Sequence, residues 1–341
     1  MRSLFHIMRT VARYIHTDSI DKARPSPLQL SPGKSHVLDM GMAPGGFLDF
    51  ILEINRDVPD LSAKSITLPH DLGGHEILLQ SYRSGAPEAE VPTVGYGYEV
   101  ALGQDQSVDI HHFDITMFAG DLGMKTFPSS HPDRVERDTF LPPQRFLKER
   151  FNLVICGCQL VRSRTDGLKR IDGPERIDGP KRIDGPKRID GPERIEKVRN
   201  FTAQLAIGLD RLAADGTMIV LMHELEAWHN VHMIWQFRQF SDHVDVVKPN
   251  TVNTRNCTAY MIAQGVRANQ REATQAVERW RDEWKTAMFQ TEEEYVHKYV
   301  TEDKALVERV LSEIEPHLST WGQRIWRIQA DALEADLSRF Q

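Results

Sequence analysis

The chain is poor in cysteine: its 341 residues hold 3, Cys156, Cys158 and Cys257. The number is odd and no C-x-x-C pair occurs, which argues against a disulfide framework and a structural zinc site. No metal is therefore expected. No apolar run approaches the roughly 20 residues of a membrane span, so no membrane association is expected either. A strongly basic balance, common in dedicated nucleic-acid binders, is also missing. The formal net charge is -7, so any RNA contact must come from a local patch. The pattern G-x-G-x-x-G does not occur, which counts against a dinucleotide-dependent oxidoreductase. A hydrophobic fraction of 40% is enough for a sizeable core, in one large domain or two ordinary ones.

Acidic residues are absent from the start of the chain, the first being Asp18. Within Met1–His16, Leu4, Met8, Val11 and Ile15 share one helical face, and Arg2, His6, Arg9, Arg13 and His16 the other. Such a segment suits a first helix packed on the domain. An Arg-rich, acid-free amphipathic start also resembles a mitochondrial presequence. The low cysteine count favours a reducing intracellular compartment, cytoplasmic or nuclear, with the mitochondrion as the alternative.

A Pro/Ser-rich connector, Ala23–Ser35, precedes a short apolar strand at His36–Asp39. The glycines of the next turn open a helix over Phe47–Glu53. Strand, glycine turn and helix form the start of a parallel α/β unit. Further strands are expected at Lys64–Leu68, Ser107–Phe113, Phe151–Cys156 and Thr217–Met222, with a closing pair at Val244–Lys248 and Thr258–Ala263. Helices are expected at Asn200–Ala213 and Ala227–Phe240, with a turn at Asp215–Gly216. From Ala268 to Gln341 the chain is helical in character, interrupted near Pro316, and holds Trp280, Trp284, Trp321 and Trp326. These helices either pack on the body or offer a protein partner a surface. Between Arg170 and Glu193 the hexapeptide RIDGPE/RIDGPK occurs four times in tandem. Each unit offers one apolar side chain and an Asp-Gly-Pro breaker, so a solvated, low-complexity insertion over 166–196 is expected. Its modest basic excess could brush against RNA.

The turn itself reads Asp39-Met40-Gly41-Met42-Ala43-Pro44-Gly45-Gly46-Phe47. Glycines between a strand and a helix let the backbone approach a ligand closely. The run VLDMGMAPGGF closely resembles the first motif of the FtsJ-like ribose 2′-O-methyltransferases, in which a hydrophobic strand is followed by D-L-G-x-A-P-G-G-F. The resemblance extends from about Val37 to Ala263 and implies a Rossmann-like α/β sheet with flanking helices, to which this chain adds a C-terminal α-helical extension. The layout it suggests is an N-terminal helix and connector (1–35), an FtsJ-like domain (36–265) and the extension (266–341). It also implies S-adenosylmethionine as cofactor, held by Asp39, Gly41, Met42, Ala43, Pro44, Gly45, Gly46 and Phe47. Asp114, at the end of the third expected strand, is a candidate for the adenine side or a helix N-cap. Asp71 is the first acid after the second strand.

The family carries out its reaction on RNA ribose with a Lys-Asp-Lys-Glu set, and here the pattern departs. The aspartate position falls on Gly157 and the glutamate position on Thr258. No lysine lies between Lys197 and Lys248, so the central lysine is replaced by Leu221, His223 or Glu224, depending on strand register. The first lysine has no unique counterpart among Arg9, Arg13 and Lys22. His223 and Glu224 are the candidate substitutes, since a histidine can take a proton near neutral pH; the alternative is that both simply begin a loop. Two functional expectations follow. One is an RNA methyltransferase with a rearranged site. The other is a catalytically inactive relative that keeps the cofactor pocket and works as a binding or scaffold subunit.

Overall fold

The computed structural model describes residues 2–17, 24–33, 35–79, 97–101, 106–125, 140–157, 191–300 and 303–338. Lys22, Cys158 and most of the hexapeptide array lie outside these segments.

Eight strands form one sheet: β1 (His36–Met40), β2 (Leu61–Thr67), β3 (Gly97–Ala101), β4 (Gln106–His112), β5 (Phe151–Cys156), β6 (Leu212–His223), β7 (Ser241–Val247) and β8 (Thr258–Val266). Their order is β3-β4-β2-β1-β5-β6-β8-β7. From β4 to β6 the neighbours are parallel. Antiparallel partners sit at both edges, β3 on β4 and the β8–β7 pair on β6. Strand order reverses between β1 and β5. In open α/β sheets that reversal opens a crevice beyond the strands' carboxyl ends, where ligands bind.

The central strands are continuous apolar runs because helices cover both faces. Val37, Leu153 and Ile155 face α2 (Gly46–Ile54) and α1 (Arg2–Thr17). Leu38, Val154 and Met218 face α3 (Gly191–Arg211), α4 (Trp228–Phe240) and α5 (Arg271–Phe289). Helix α1 buries Phe5, Val11, Ala12 and Ile15. Its Arg9 pairs with Asp49 and Glu53 of α2. The N-terminal segment is thus packed on the domain.

Several expectations change in detail. Strand β3 was not anticipated; it is a five-residue edge strand with no long apolar run. The helix expected over Asn200–Ala213 starts earlier, at Gly191, and takes in the end of the fourth hexapeptide. Pro192 falls in its first turn, where a missing N–H breaks no helical bond. It ends at Arg211, and β6 begins at Leu212. The expected Asp215–Gly216 turn survives as an irregularity within β6: Asp215 has a φ of 58°, and the register shifts between Gly216 and Met218.

The tail does not break at Pro316. After the short α6 (Glu292–Tyr295), helix α7 runs from Lys304 to Leu337 straight through the proline. Val310, Ile314, Trp321 and Ile325, buried on both sides of Pro316, hold the helix to the body. The break falls earlier, where Gln290 ends α5 and Thr291 forms a capping box with Glu294. Trp280, Trp284 and Trp321 share one apolar core with the sheet. Two of their indoles reach into the domain: Trp284 Nε1 donates to the Thr116 carbonyl at 3.1 Å, and Trp321 Nε1 to Asp245 Oδ1 at 2.9 Å. Trp326 is 46% exposed. Among the described residues no helix is long and apolar enough to cross a membrane, and no cluster of metal-ligating side chains occurs.

Because Trp284 is fully buried and bonded to the sheet domain, Trp284→Ala should lower the stability of the whole chain. The expected loss is about 3–5 kcal/mol, measured as a shift of one cooperative urea transition. An unchanged main transition would show that the tail is energetically separate.

Candidate functional site

The turn after β1 sits at the reversal point of the sheet. Gly41 has a φ of 99°, a region that favours glycine, and its N–H donates to the Ile66 carbonyl of β2 at 2.8 Å. The Met40 carbonyl accepts from the Gly157 N–H at 2.8 Å, so the turn is tied to strands on both sides. The Pro44 carbonyl accepts from Leu78 N at 2.8 Å, and this brings the segment after β2 over the turn. Gly45 has a φ of 98°, and a Cβ there would lie 3.0 Å from Leu79 and 3.1 Å from the Met42 sulfur. Helix α2 starts at Gly46 without a side-chain cap.

The expected cofactor-loop residues divide by what they can offer. Met42 and Phe47 are buried in the core that includes α2, and the Met42 sulfur packs against Gly45. Gly46 serves α1 directly: a Cβ would lie 2.0 Å from the Phe5 carbonyl oxygen. Gly41, Ala43 and Pro44 line the turn as backbone.

Asp39 differs from all of these. It is 1% exposed and its Oδ2 has no hydrogen-bond partner. Burial raises its pKa to about 7. A lone buried carboxyl at a strand end calls for a ligand or water. The ammonium group of S-adenosylmethionine fits that requirement, because it supplies both charge and donors. Asp114 caps the turn Ile115–Met117: its Oδ1 accepts from Thr116 N at 3.0 Å and Thr116 Oγ1 at 2.7 Å. The N-cap alternative is therefore observed for it. Asp71 falls in the turn His70–Leu72.

Across the crevice, the β6 register pairs Leu221 with Tyr260 and His223 with Thr258. His223 ends β6 and is exposed overall. Partial desolvation and the charge of Lys197 lower its pKa from the ordinary histidine value, against the opposing pull of Glu224. Glu224 is also exposed, with a φ of 58°. Two partners hold that conformation. Glu224 N donates to the Cys257 carbonyl at 3.1 Å. Asn230 Nδ2 donates to the carbonyls of His223 and Glu224, at 2.5 and 2.9 Å.

Sequence reasoning missed Asn230 and Lys248. Lys248 is 1% exposed. Its Nζ donates to the carbonyls of Asn253, Asn256 and Thr258 at 2.9, 2.6 and 3.1 Å. All three ammonium donors are engaged, so Lys248 staples the loop after β7. Burial lowers its pKa. Nothing in a single lysine after an apolar strand signals such a cage. Thr258 Oγ1 bonds Asn256 Oδ1 at 2.5 Å.

Asp39 makes a pH prediction. Its folded-state value, about 7, lies above the ordinary 3.8. The folded protein therefore keeps a proton that the unfolded chain gives up. That stabilisation is complete below about pH 4 and is lost as pH rises through 7. Without cofactor, Asp39→Asn should flatten a slope of about 1.4 kcal/mol per pH unit in urea unfolding between these limits. An unchanged slope would refute the assignment.

A family model described as FtsJ-like methyltransferase matches residues 19–266. No curated protein sequence matches the chain. Solved structures similar to it include a ribosomal RNA methyltransferase from Plasmodium falciparum, at 13% identity and a TM-score of 0.33, covering 70% of this chain and 90% of that one. An rRNA methylase from Streptococcus thermophilus aligns at 12% identity and a TM-score of 0.28, covering 70% and 92%. A SAM-dependent methyltransferase from Methanosarcina mazei aligns at 11% and 0.30, covering 70% and 99%. With the matched segment spanning the whole sheet and its β1 turn, the chain belongs to the FtsJ-like methyltransferase family, whose cofactor is S-adenosylmethionine.

Proposed function

We propose that the protein transfers methyl groups to RNA ribose, with His223 in place of the family's lysine. The observation that carries this reading is His223 itself. It is an exposed imidazole at the carboxyl end of β6, held below the ordinary histidine pKa. Its ring is therefore mostly neutral at pH 7 and free to accept a proton.

The cofactor supplies an electrophilic methyl group on a sulfonium. Asp39 and the backbone from Gly41 to Gly46 would hold it at the reversal point. A ribose 2′-hydroxyl is a poor nucleophile, so a base must take its proton as the new bond forms. His223 would accept that proton, and the neighbouring Glu224 carboxylate would favour the imidazolium that results. Asn230 supports the arrangement by fixing the turn that presents both side chains. Lys248 is unsuited to this role because its ammonium is buried and fully bonded.

A second reading, a cofactor-binding subunit without transfer activity, draws on Gly157 and Thr258. Neither brings a carboxylate to orient a base, and base catalysis depends on such positioning. Transfer of labelled methyl from S-adenosylmethionine to total RNA, followed by nucleoside analysis, separates the two. The first reading expects 2′-O-methylnucleosides, with a rate reduced about a hundredfold in His223→Ala and less in Glu224→Ala. Transfer that survives both substitutions would remove His223 from the reaction. Binding of cofactor with no transfer at all would favour the second reading.

A further inference from the structure

One row of residues crosses the sheet at the level of Asp39. In register it runs Ile110, Ser65, Asp39, Ile155, Ile219 and Ile262, from β4 to β8. The four isoleucines belong to the apolar core on the α2 side. Asp39 and Ser65 interrupt that row as direct neighbours on parallel strands. Alternation along each strand places them on the same face: Asp39 follows Val37, and Ser65 follows Ala63, both in that core.

Both interrupting residues are buried, Asp39 at 1% and Ser65 at 0% exposure. Asp39 Oδ2 and Ser65 Oγ each lack a hydrogen-bond partner. Leaving a buried polar atom unsatisfied costs roughly as much as a lost hydrogen bond. Here two such residues are register partners on adjacent parallel strands, near the carboxyl ends of β1 and β2. A hydroxyl is not required there by packing, since the equivalent positions in the row carry isoleucine. The two atoms also do not bond each other. A small donor-rich group between them would satisfy both at once.

We propose that Ser65 is a second cofactor-binding residue, and that its hydroxyl and the Asp39 carboxylate together receive the ammonium of the cofactor's methionyl tail. This rests on the reading of the β1 turn as an S-adenosylmethionine site. The ammonium donates one hydrogen to Asp39 Oδ2 and another to Ser65 Oγ. The chemical class recognised is a primary ammonium attached to the thioether or sulfonium nucleoside. The nucleoside itself is not recognised by this pair.

That distinction sets the test. Three ligands are titrated calorimetrically into wild type and Ser65→Ala: S-adenosylmethionine, S-adenosylhomocysteine and 5′-methylthioadenosine, which lacks the amino-acid tail. The variant should bind the first two about tenfold more weakly, the worth of one hydrogen bond to a charged group. Its affinity for methylthioadenosine should be unchanged. Without ligand, the variant should melt at the same temperature as wild type or higher, because an unsatisfied hydroxyl has been removed. Ser65→Thr, which keeps the hydroxyl, should restore tail recognition. Equal loss for all three ligands would overturn the proposal, as would no loss for any. If wild type binds methylthioadenosine but gains nothing from the tail, the Ser65 and Asp39 site falls while the crevice stands. If wild type binds none of the three, the cofactor reading falls with it.

Discussion

The structure turns on a carboxyl group buried where a parallel sheet reverses its strand order. Burying Asp39 is unfavourable to the ionised form and pushes its pKa up. Everything near it keeps that cost from being relieved by solvent. Gly41 bends the chain away above it, Ile155 flanks it on one strand, and α2 with α1 closes the face. The same packing forces Gly46 to be a glycine, because the α1 backbone occupies the space of a side chain. The N-terminal helix is thus part of the β1 turn's support, and Arg9 links the two helices through Asp49 and Glu53.

Much of the fold was legible because doubly covered parallel strands are written as unbroken apolar runs. FNLVIC became β5 without change, and β1 grew by one residue. Edge elements were less legible for the same reason. GYEVA has no sustained pattern, and its strand is defined by pairing with β4. Pro316 misled because proline weakens a helix locally, whereas four buried side chains, two on either side, decide whether the helix persists.

The site was legible only where it is contiguous. The β1 turn could be read from nine consecutive residues. Ser65 could not: alternation in LSAKSIT puts it on the buried face with Leu61 and Ala63, and a small polar residue there does not by itself announce a ligand. Its partner is 26 positions away in the chain and adjacent only through register. Lys248 and Asn230 escaped notice for a related reason: their importance lies in backbone carbonyls, which no side-chain pattern announces.

The two walls of the crevice are therefore constrained differently. At the β1 turn, Gly41 and Gly45 have positive φ and a Cβ at Gly46 would strike the α1 backbone, so a change at any of the three disturbs the fold. On the opposite wall the side chains of His223 and Glu224 are exposed at the end of β6. A Cβ at Gly157 would meet nothing closer than 3.6 Å, ordinary contact distance. Among the described residues, a Cβ at this position is not forbidden by packing. Thr258 likewise spends its hydroxyl on a nearby asparagine. Folding requirements alone call for the glycines of the β1 turn. They place no such demand on the exposed side chains of His223 and Glu224.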